Sequence, residues 1–258
     1  MMKKSGIIFH NEIAQDTYQL CSSSGYEAAP GKASRNSYLI VGKKIALLFD
    51  LALKEPGIVE YAEQLSGKPT MTVLSHAHAD HIFGASALNE VWLHKDDATL
   101  LRKGSVFQKG VKPCPKLNFL NHGDILELGE RNLKVFHIPG HTDGSILLYD
   151  ENEKLLFSGD TVTRRLLYGL HTPVPITKFC DSILALNTLH INGIFSAHDR
   201  VVLPKEHIDY MADLLFQRIP VEMKIKRLLY LRFRVFSDGD ETSVRYFDFA
   251  QLLSFWDK

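Results

Sequence analysis

The hexad His76-Ala77-His78-Ala79-Asp80-His81 limits the folds open to this chain more than any other feature in it. Four ligand-type side chains crowd into six residues directly after the apolar run Met71 to Leu74, which reads as a short buried strand. In extended backbone, alternate side chains face the same way. His76 and His78 can therefore grip one ion, while Asp80 and His81 lie further along and can serve a second. The alanines leave room around the ligands.

Three later positions share this setting. Val135 to Ile138 leads into Pro139-Gly140-His141-Thr142, Leu155 to Phe157 into Ser158-Gly159-Asp160, and Ile194-Phe195 into Ser196-Ala197-His198. Each candidate ligand stands just beyond a strand end, where loops at one edge of a sheet converge while the sheet fixes their geometry. Gly140 and Gly159 are read as permitting sharp turns. Taken singly, any of these residues is equally well explained as a solvated loop histidine or an aspartate capping a helix. The ordered set of seven carries the metal reading.

Around these motifs the chain alternates strands and helices. Ser37 to Val41 and Ile45 to Phe49 read as a hairpin, Gly57 to Leu65 as a helix stopped at Gly67, and Glu90 to His94 as a strand. A helix is expected from His81 onward. Arg102 to Asn118 holds five basic and no acidic residues, and reads as a long basic loop, either a solvated face or a lid that recruits an anionic substrate. Asn132 to Ile138, Ser145 to Tyr149, Lys154 to Phe157 and Gly193 to Ser196 read as strands, and Asp181 to Leu189 and Glu206 to Gln217 as helices. Pro220 is expected to start a further helix. Tyr230 to Phe236 and Thr242 to Phe249 alternate about a Ser237 to Asp240 turn, the pattern of a hairpin whose exposed end offers a homodimer contact.

Composition excludes several classes. Thirty basic residues balance thirty acidic ones, removing the broad positive field of a nucleic-acid binder. No stretch approaches the ~20 apolar residues of a membrane span, and the run Ile7 to Phe9 is too short for a signal-peptide core. A cytoplasmic protein acting on a small molecule, with neither nucleic-acid nor membrane partner, is expected. The three cysteines, Cys21, Cys114 and Cys180, read as free thiols. At 258 residues a single domain over 1–258 is expected.

H-x-H-x-D-H followed by P-G-H-T, S-G-D and a late A-H resembles the metallo-β-lactamase fold superfamily over nearly the whole chain. The resemblance implies an α/β (α+β) fold, a four-layer αββα sandwich with metals at one edge. It assigns His76, His78 and His141 to a first metal, Asp80, His81 and His198 to a second, and Asp160 as the bridge. It also implies two divalent ions, zinc first and iron or manganese as alternatives. A bridging hydroxide would attack a carbonyl carbon, with Asp80 orienting it and helping to pass a proton to the leaving group.

Within the superfamily, true β-lactamases generally lack the bridging aspartate and carry an export signal, and RNA-processing branches add a nucleic-acid domain or arm. What remains resembles the glyoxalase II-like branch, which cleaves thioesters, esters or lactones. Glyoxalase II itself has a helical C-terminal domain that binds glutathione. The expected Tyr230 to Phe249 hairpin departs from that pattern. A mononuclear iron persulfide dioxygenase and a phosphodiesterase of this fold are the alternatives; the complete second-metal set favours hydrolysis. Tyr168, in the stretch after Asp160, is a candidate oxyanion donor against a reading as a packing residue. Arg164, Arg165 and His171 are candidates to line the entrance. His10, His94, His122, His137, His190 and His207 lack defensible ligand spacing and are read as structural.

Overall fold

The computed structural model describes residues 7–22, 35–105, 107–169, 172–216 and 218, and the backbone of three further strands within 222–248. The chain opens with a hairpin of β1 (Ile8–Ala14) and β2 (Thr17–Ser22), extended antiparallel by β3 (Ser37–Val41) and β4 (Ala46–Phe49). Helix α1 (Ile58–Ser66) then leads to β5 (Thr70–Val73), parallel to β4. Ile58 and Ala62, one turn apart, form its buried face, and Gly57 and Gly67 bound it with φ of +88° and +65°. Those left-handed values are where a residue without Cβ belongs.

After β6 (Glu90–Leu93) come helix α2 (Ala98–Lys103) and a short ribbon of β7 (Gly104–Ser105) and β8 (Gln108–Lys109). Strand β9 (Lys116–Phe119) then completes a seven-stranded sheet of order β1-β2-β3-β4-β5-β6-β9. The second sheet contains β10 (Ile125–Glu127), β11 (Asn132–His137), β12 (Ile146–Asp150) and β13 (Leu155–Gly159). Beyond β14 (Leu167–Tyr168) and helix α3 (Ile176–Leu184), β15 (Gly193–Ser196) joins this second sheet, parallel to β13. Helix α4 (His207–Leu215) precedes β16 (Glu222–Leu228), β17 (Leu231–Ser237) and β18 (Arg245–Asp248), which form a small sheet with β14.

Side-chain alternation builds the layers. In β4, Leu47 and Phe49 enter a core shared with Val135, Leu148 and Phe157 of the second sheet, whereas Ala46 and Leu48 pack with Ile58 and Ala62 of α1. In β12 and β13, Ile146, Leu148, Leu155 and Phe157 face the shared core, while Leu147 and Leu156 meet Phe179, Ile183, Ile208 and Met211 of α3 and α4. Both central strand pairs are thus apolar on both faces, which is why they read as continuous hydrophobic runs. The order is helix, sheet, sheet, helix, the expected four-layer sandwich. Arg131 ties the sheets together: its guanidinium meets Asp150 Oδ2 of β12, and its Nη1 donates to the carbonyls of Asp16 and Val41 at 3.0 and 3.2 Å. Arg131 and Asp150 are both buried. Among the described residues no helix is long and apolar enough to cross a membrane.

Three expectations are corrected. No helix begins at His81: the Leu51 N–H donates to the His81 carbonyl and the Phe83 N–H to the Leu51 carbonyl, both at 3.0 Å, so the chain runs beside Leu51 as an isolated bridge. Only a short 3-10 turn, Ala85–Ala87, follows. Pro220 lies outside the described residues, and from Glu222 the expected helix is replaced by β16, which pairs with β17 from Glu222↔Ser237 to Leu228↔Leu231; Met223 and Ile225 alternate with charged residues at strand period. Arg102 to Asn118 is not one long loop, because β7, β8 and β9 fall within it. The expected hairpin pairing appears between β17 and β18, while its turn at 238–240 lies outside the described residues.

Candidate metal centre

All seven sequence-predicted ligands gather at one edge of the two sheets. His76, His78, Asp80 and His81 follow β5, His141 follows β11, Asp160 follows β13, and His198 follows β15. Two glycines make the approach possible. Gly159 has φ +52°, and a Cβ there would lie 2.6 Å from that of Ser75. Gly140 is required by space and not by a left-handed turn: its Cβ would stand 2.2 Å from the Phe179 ring.

His76 Nε2, His78 Nδ1 and His141 Nε2 lie 2.7 to 3.1 Å from one another, with ring planes at 85° to 89°. Edge-on rings aim their in-plane lone pairs at a common point. The far nitrogens of His141 and His76 are committed elsewhere. His141 Nδ1 donates to the Leu167 carbonyl at 2.7 Å, and His76 Nδ1 lies 2.9 Å from Ser75 Oγ. Such partners fix the tautomer that leaves Nε2 free as a ligand.

A second group forms beside the first. His198 Nε2 is 3.4 Å from Asp80 Oδ2 and 3.3 Å from Asp160 Oδ2, and Asp160 Oδ2 is 3.5 Å from His141 Nε2. His81 Nδ1 sits 2.9 Å from Asp50 Oδ2, which turns its Nε2 toward Asp160 Oδ1, 3.4 Å away. That separation is within ion-pair range, yet both atoms are buried without a hydrogen-bond partner. Each such orphan costs about 1–3 kcal/mol, which a cation seated between them removes. The donor set fits a divalent metal.

On the protein's own charges the two groups differ. Burial, aided by His81 and His141, pushes His76 well below its ordinary pKa, and burial also lowers His141. Burial works against charge at His198 as well, but Asp160 and Asp80 lift it to about 10. His81 is likewise raised, against its burial, by Asp160 and Asp50. Asp160 resists ionisation by burial, yet His198 and His81 hold it well below the usual carboxylate range. One group offers neutral imidazoles and the other is rich in anions.

Several residues that shape the site carry no signal in the motif reading. Asp50, at φ +66°, accepts from the Ser75 N–H at 2.6 Å and Ser75 Oγ at 2.7 Å besides meeting His81. Gln108 of the ribbon donates to the Ala77 carbonyl at 2.7 Å and accepts from the Ala79 N–H at 2.9 Å. Asp199 accepts from Ser196 Oγ, Thr163 Oγ1 and the Arg164 N–H at 2.6 to 3.1 Å, joining the His198 loop to the one after Asp160. Asp97 is buried beneath both histidine loops. Asp50, Asp97 and Asp199 stand one, four and three residues past β4, β6 and β15, no farther than His141 stands past β11, so the strand-end rule reaches them as well, whereas Gln108 lies within the ribbon.

Tyr168 is buried, packs on Phe179 at a centroid distance of 5.5 Å and donates its hydroxyl to the Val174 carbonyl. These contacts favour the packing reading over the oxyanion donor. Arg164 and Arg165 are half-buried, and His171 lies outside the described residues. Arg102, Lys103, Lys109, Lys112 and Lys116 are exposed, as a solvated face requires.

Residues 30–176 match the family model described as "Metallo-beta-lactamase superfamily". The chain is 29% identical over 158 residues to acyl-coenzyme A thioesterase MBLAC2 of Gallus gallus, covering 49% of this chain and 57% of that protein. It is 35% identical over 122 residues to hydroxyacylglutathione hydrolase of Crocosphaera subtropica, covering 45% of each. The match thus spans about half the length of these curated relatives. Among solved structures, a metallo-beta-lactamase from Pontibacter korlensis superposes with a TM-score of 0.65 at 18% identity, covering 81% of this chain and 99% of that one.

Proposed function

The chain belongs to the metallo-beta-lactamase superfamily, and from that footing we propose a binuclear hydrolase of small acyl thioesters, with esters and lactones as neighbouring substrates. His76, His78 and His141 would hold one cation, Asp80, His81 and His198 the other, and Asp160 faces both. The observation that carries this reading is the pair His81 Nε2 and Asp160 Oδ1, buried without a hydrogen-bond partner where the two groups of three converging ligands meet. Bound divalent ions, zinc first and iron or manganese as alternatives, lower the pKa of water from ~15.7 to about 7 and stabilise negative charge on a carbonyl oxygen.

The protein's own groups supply order around that chemistry. Asp80 has 38% of its side chain exposed against 8% for Asp160, so it is the carboxylate within reach of a substrate. It accepts a hydrogen bond from the attacking water and aims an oxygen lone pair at the acyl carbon. Asp50 and the Leu167 carbonyl keep His81 and His141 from turning.

The thioester preference draws on the thioesterase and hydroxyacylglutathione hydrolase among the relatives. Glutathione is disfavoured as the carrier, because β16 to β18 occupy the sequence where a helical glutathione-binding domain would stand. The free thiols, buried Cys21 and Cys180 and exposed Cys114, suit a reducing, cytoplasmic setting.

Metal analysis of the purified protein followed by a panel of acyl thioesters, lactones, phosphodiesters and β-lactams tests the proposal. Two metals per chain and chelator-sensitive release of thiol are expected. Turnover confined to phosphodiesters, or oxygen consumption with a persulfide, would overturn it.

A further inference from the structure

The three histidines of the first group come from two loops far apart in sequence, and one buried carboxylate touches both. Asp97, 2% exposed, lies between β6 and α2. Its Oδ2 accepts from the Ala77 N–H at 2.7 Å, the peptide between His76 and His78, and from Thr142 Oγ1 at 3.0 Å, the residue after His141. Its Oδ1 accepts from the Gly144 N–H at 2.9 Å. Ser145 Oγ closes the loop by accepting from the Thr142 N–H at 3.0 Å.

We infer that Asp97 is a positioning residue that fixes the spacing between the His76/His78 loop and the His141 loop, and thereby the affinity of the first metal subsite. The inference rests on the reading of those histidines as metal ligands. A carboxylate suits the task because it is acceptor-only, and all three groups facing it donate. An amide in its place turns an NH2 toward at least one N–H or O–H donor. Gly144 gives independent support: a Cβ there would stand 2.7 Å from Asp97 Cβ and Cγ, although the Gly144 backbone is not left-handed. The glycine is needed for the carboxylate's approach, not for a turn.

The test is cobalt(II) titration of the metal-free full chain, followed by visible absorption, on the parent and the variants Asp97→Asn, Gly144→Ala and Asp150→Asn. Gly144→Ala keeps the Asp97 carboxylate but forces it to shift. Asp150→Asn disturbs a buried carboxylate on Arg131, outside the metal cluster. Asp97→Asn and Gly144→Ala should each weaken the first cobalt equivalent about 10- to 100-fold and alter its absorption band, the range seen when outer partners of metal ligands are removed. Asp150→Asn should lower the unfolding midpoint with parent-like cobalt affinity. Parent-like affinity and spectrum in Gly144→Ala and in folded Asp97→Asn would reduce Asp97 to a structural role and overturn the inference, leaving the metal reading intact. A parent protein that takes up no cobalt would overturn both.

Discussion

Two of the histidine clusters among the described residues lie in different parts of the molecule, and proximity does not distinguish them. His76, His78 and His141 form one, and His94, Asp96 and His137 the other; in each, the potential ligand atoms fall within 4.8 Å of one another. Orientation separates them. The first cluster's rings stand at 85° to 89°, whereas His94 and His137 stack at 15° with centroids 3.6 Å apart. An imidazole lone pair lies in its ring plane, so near-parallel planes share no nearby point at which an ion could sit. His137 Nε2 is moreover engaged with the Asp143 carbonyl at 2.7 Å. The lesson is that convergence of lone pairs, not closeness of nitrogens, makes a chelating site.

The largest effect should come from Asp160→Ala, which deletes the carboxylate between the two proposed subsites. Because outer partners alone are worth about 10- to 100-fold, loss of this group should lower turnover by more than about 100-fold, with metal content falling in parallel. Full turnover with two metals retained would remove Asp160 from the centre. Asp50→Asn comes next: releasing His81 should weaken the second metal by about 10- to 100-fold, and the first by less through Ser75 and His76, measured by equilibrium dialysis against graded chelator.

The stacked pair should announce itself through pH instead of metal. Burial, and then the neighbouring His137, push the His94 pKa down to about 4. Between pH 6.5 and 4 the unfolded chain therefore takes up a proton that folded His94 refuses, so stability is whole above that window and declines as pH falls through it. His94→Gln removes this linkage, and its urea midpoint should drop less between pH 7 and pH 4 than the parent's. An equal drop in both proteins would refute the shift. The smallest effect is none: the double variant His94→Gln, His137→Gln should keep the parent's metal content, and loss of one ion per chain would break the comparison itself.

Much of this was legible in the amino-acid order because the ligands punctuate strand ends. An apolar run that stops at His76, His141, Asp160 or His198 marks both the sheet edge and the residue standing on it, and the structure brings all seven together. The braces were not legible. Asp97 and Asp199 also stand shortly past strand ends, but most of the N–H groups and hydroxyls that they brace lie tens of residues away, so what they hold together cannot be read from their own neighbourhood. The helix expected after His81 failed for a related reason: pairing with Leu51, a partner remote in sequence, overrode local pattern. The segment after Pro220 failed differently, since the strand period of Glu222 to Leu228 was already present beside a proline that also suits a helix start.

Strand β14 gives the far end of the chain a say in the centre. Leu167 pairs with Phe247 of β18, and its carbonyl holds the ring of His141. A protease cutting ahead of β18, or a foreign strand taking its place, would loosen the backbone that keeps one imidazole upright. Tags, fusions or truncations placed behind residue 216 are therefore not neutral additions: they load a lever whose short arm ends at the first subsite.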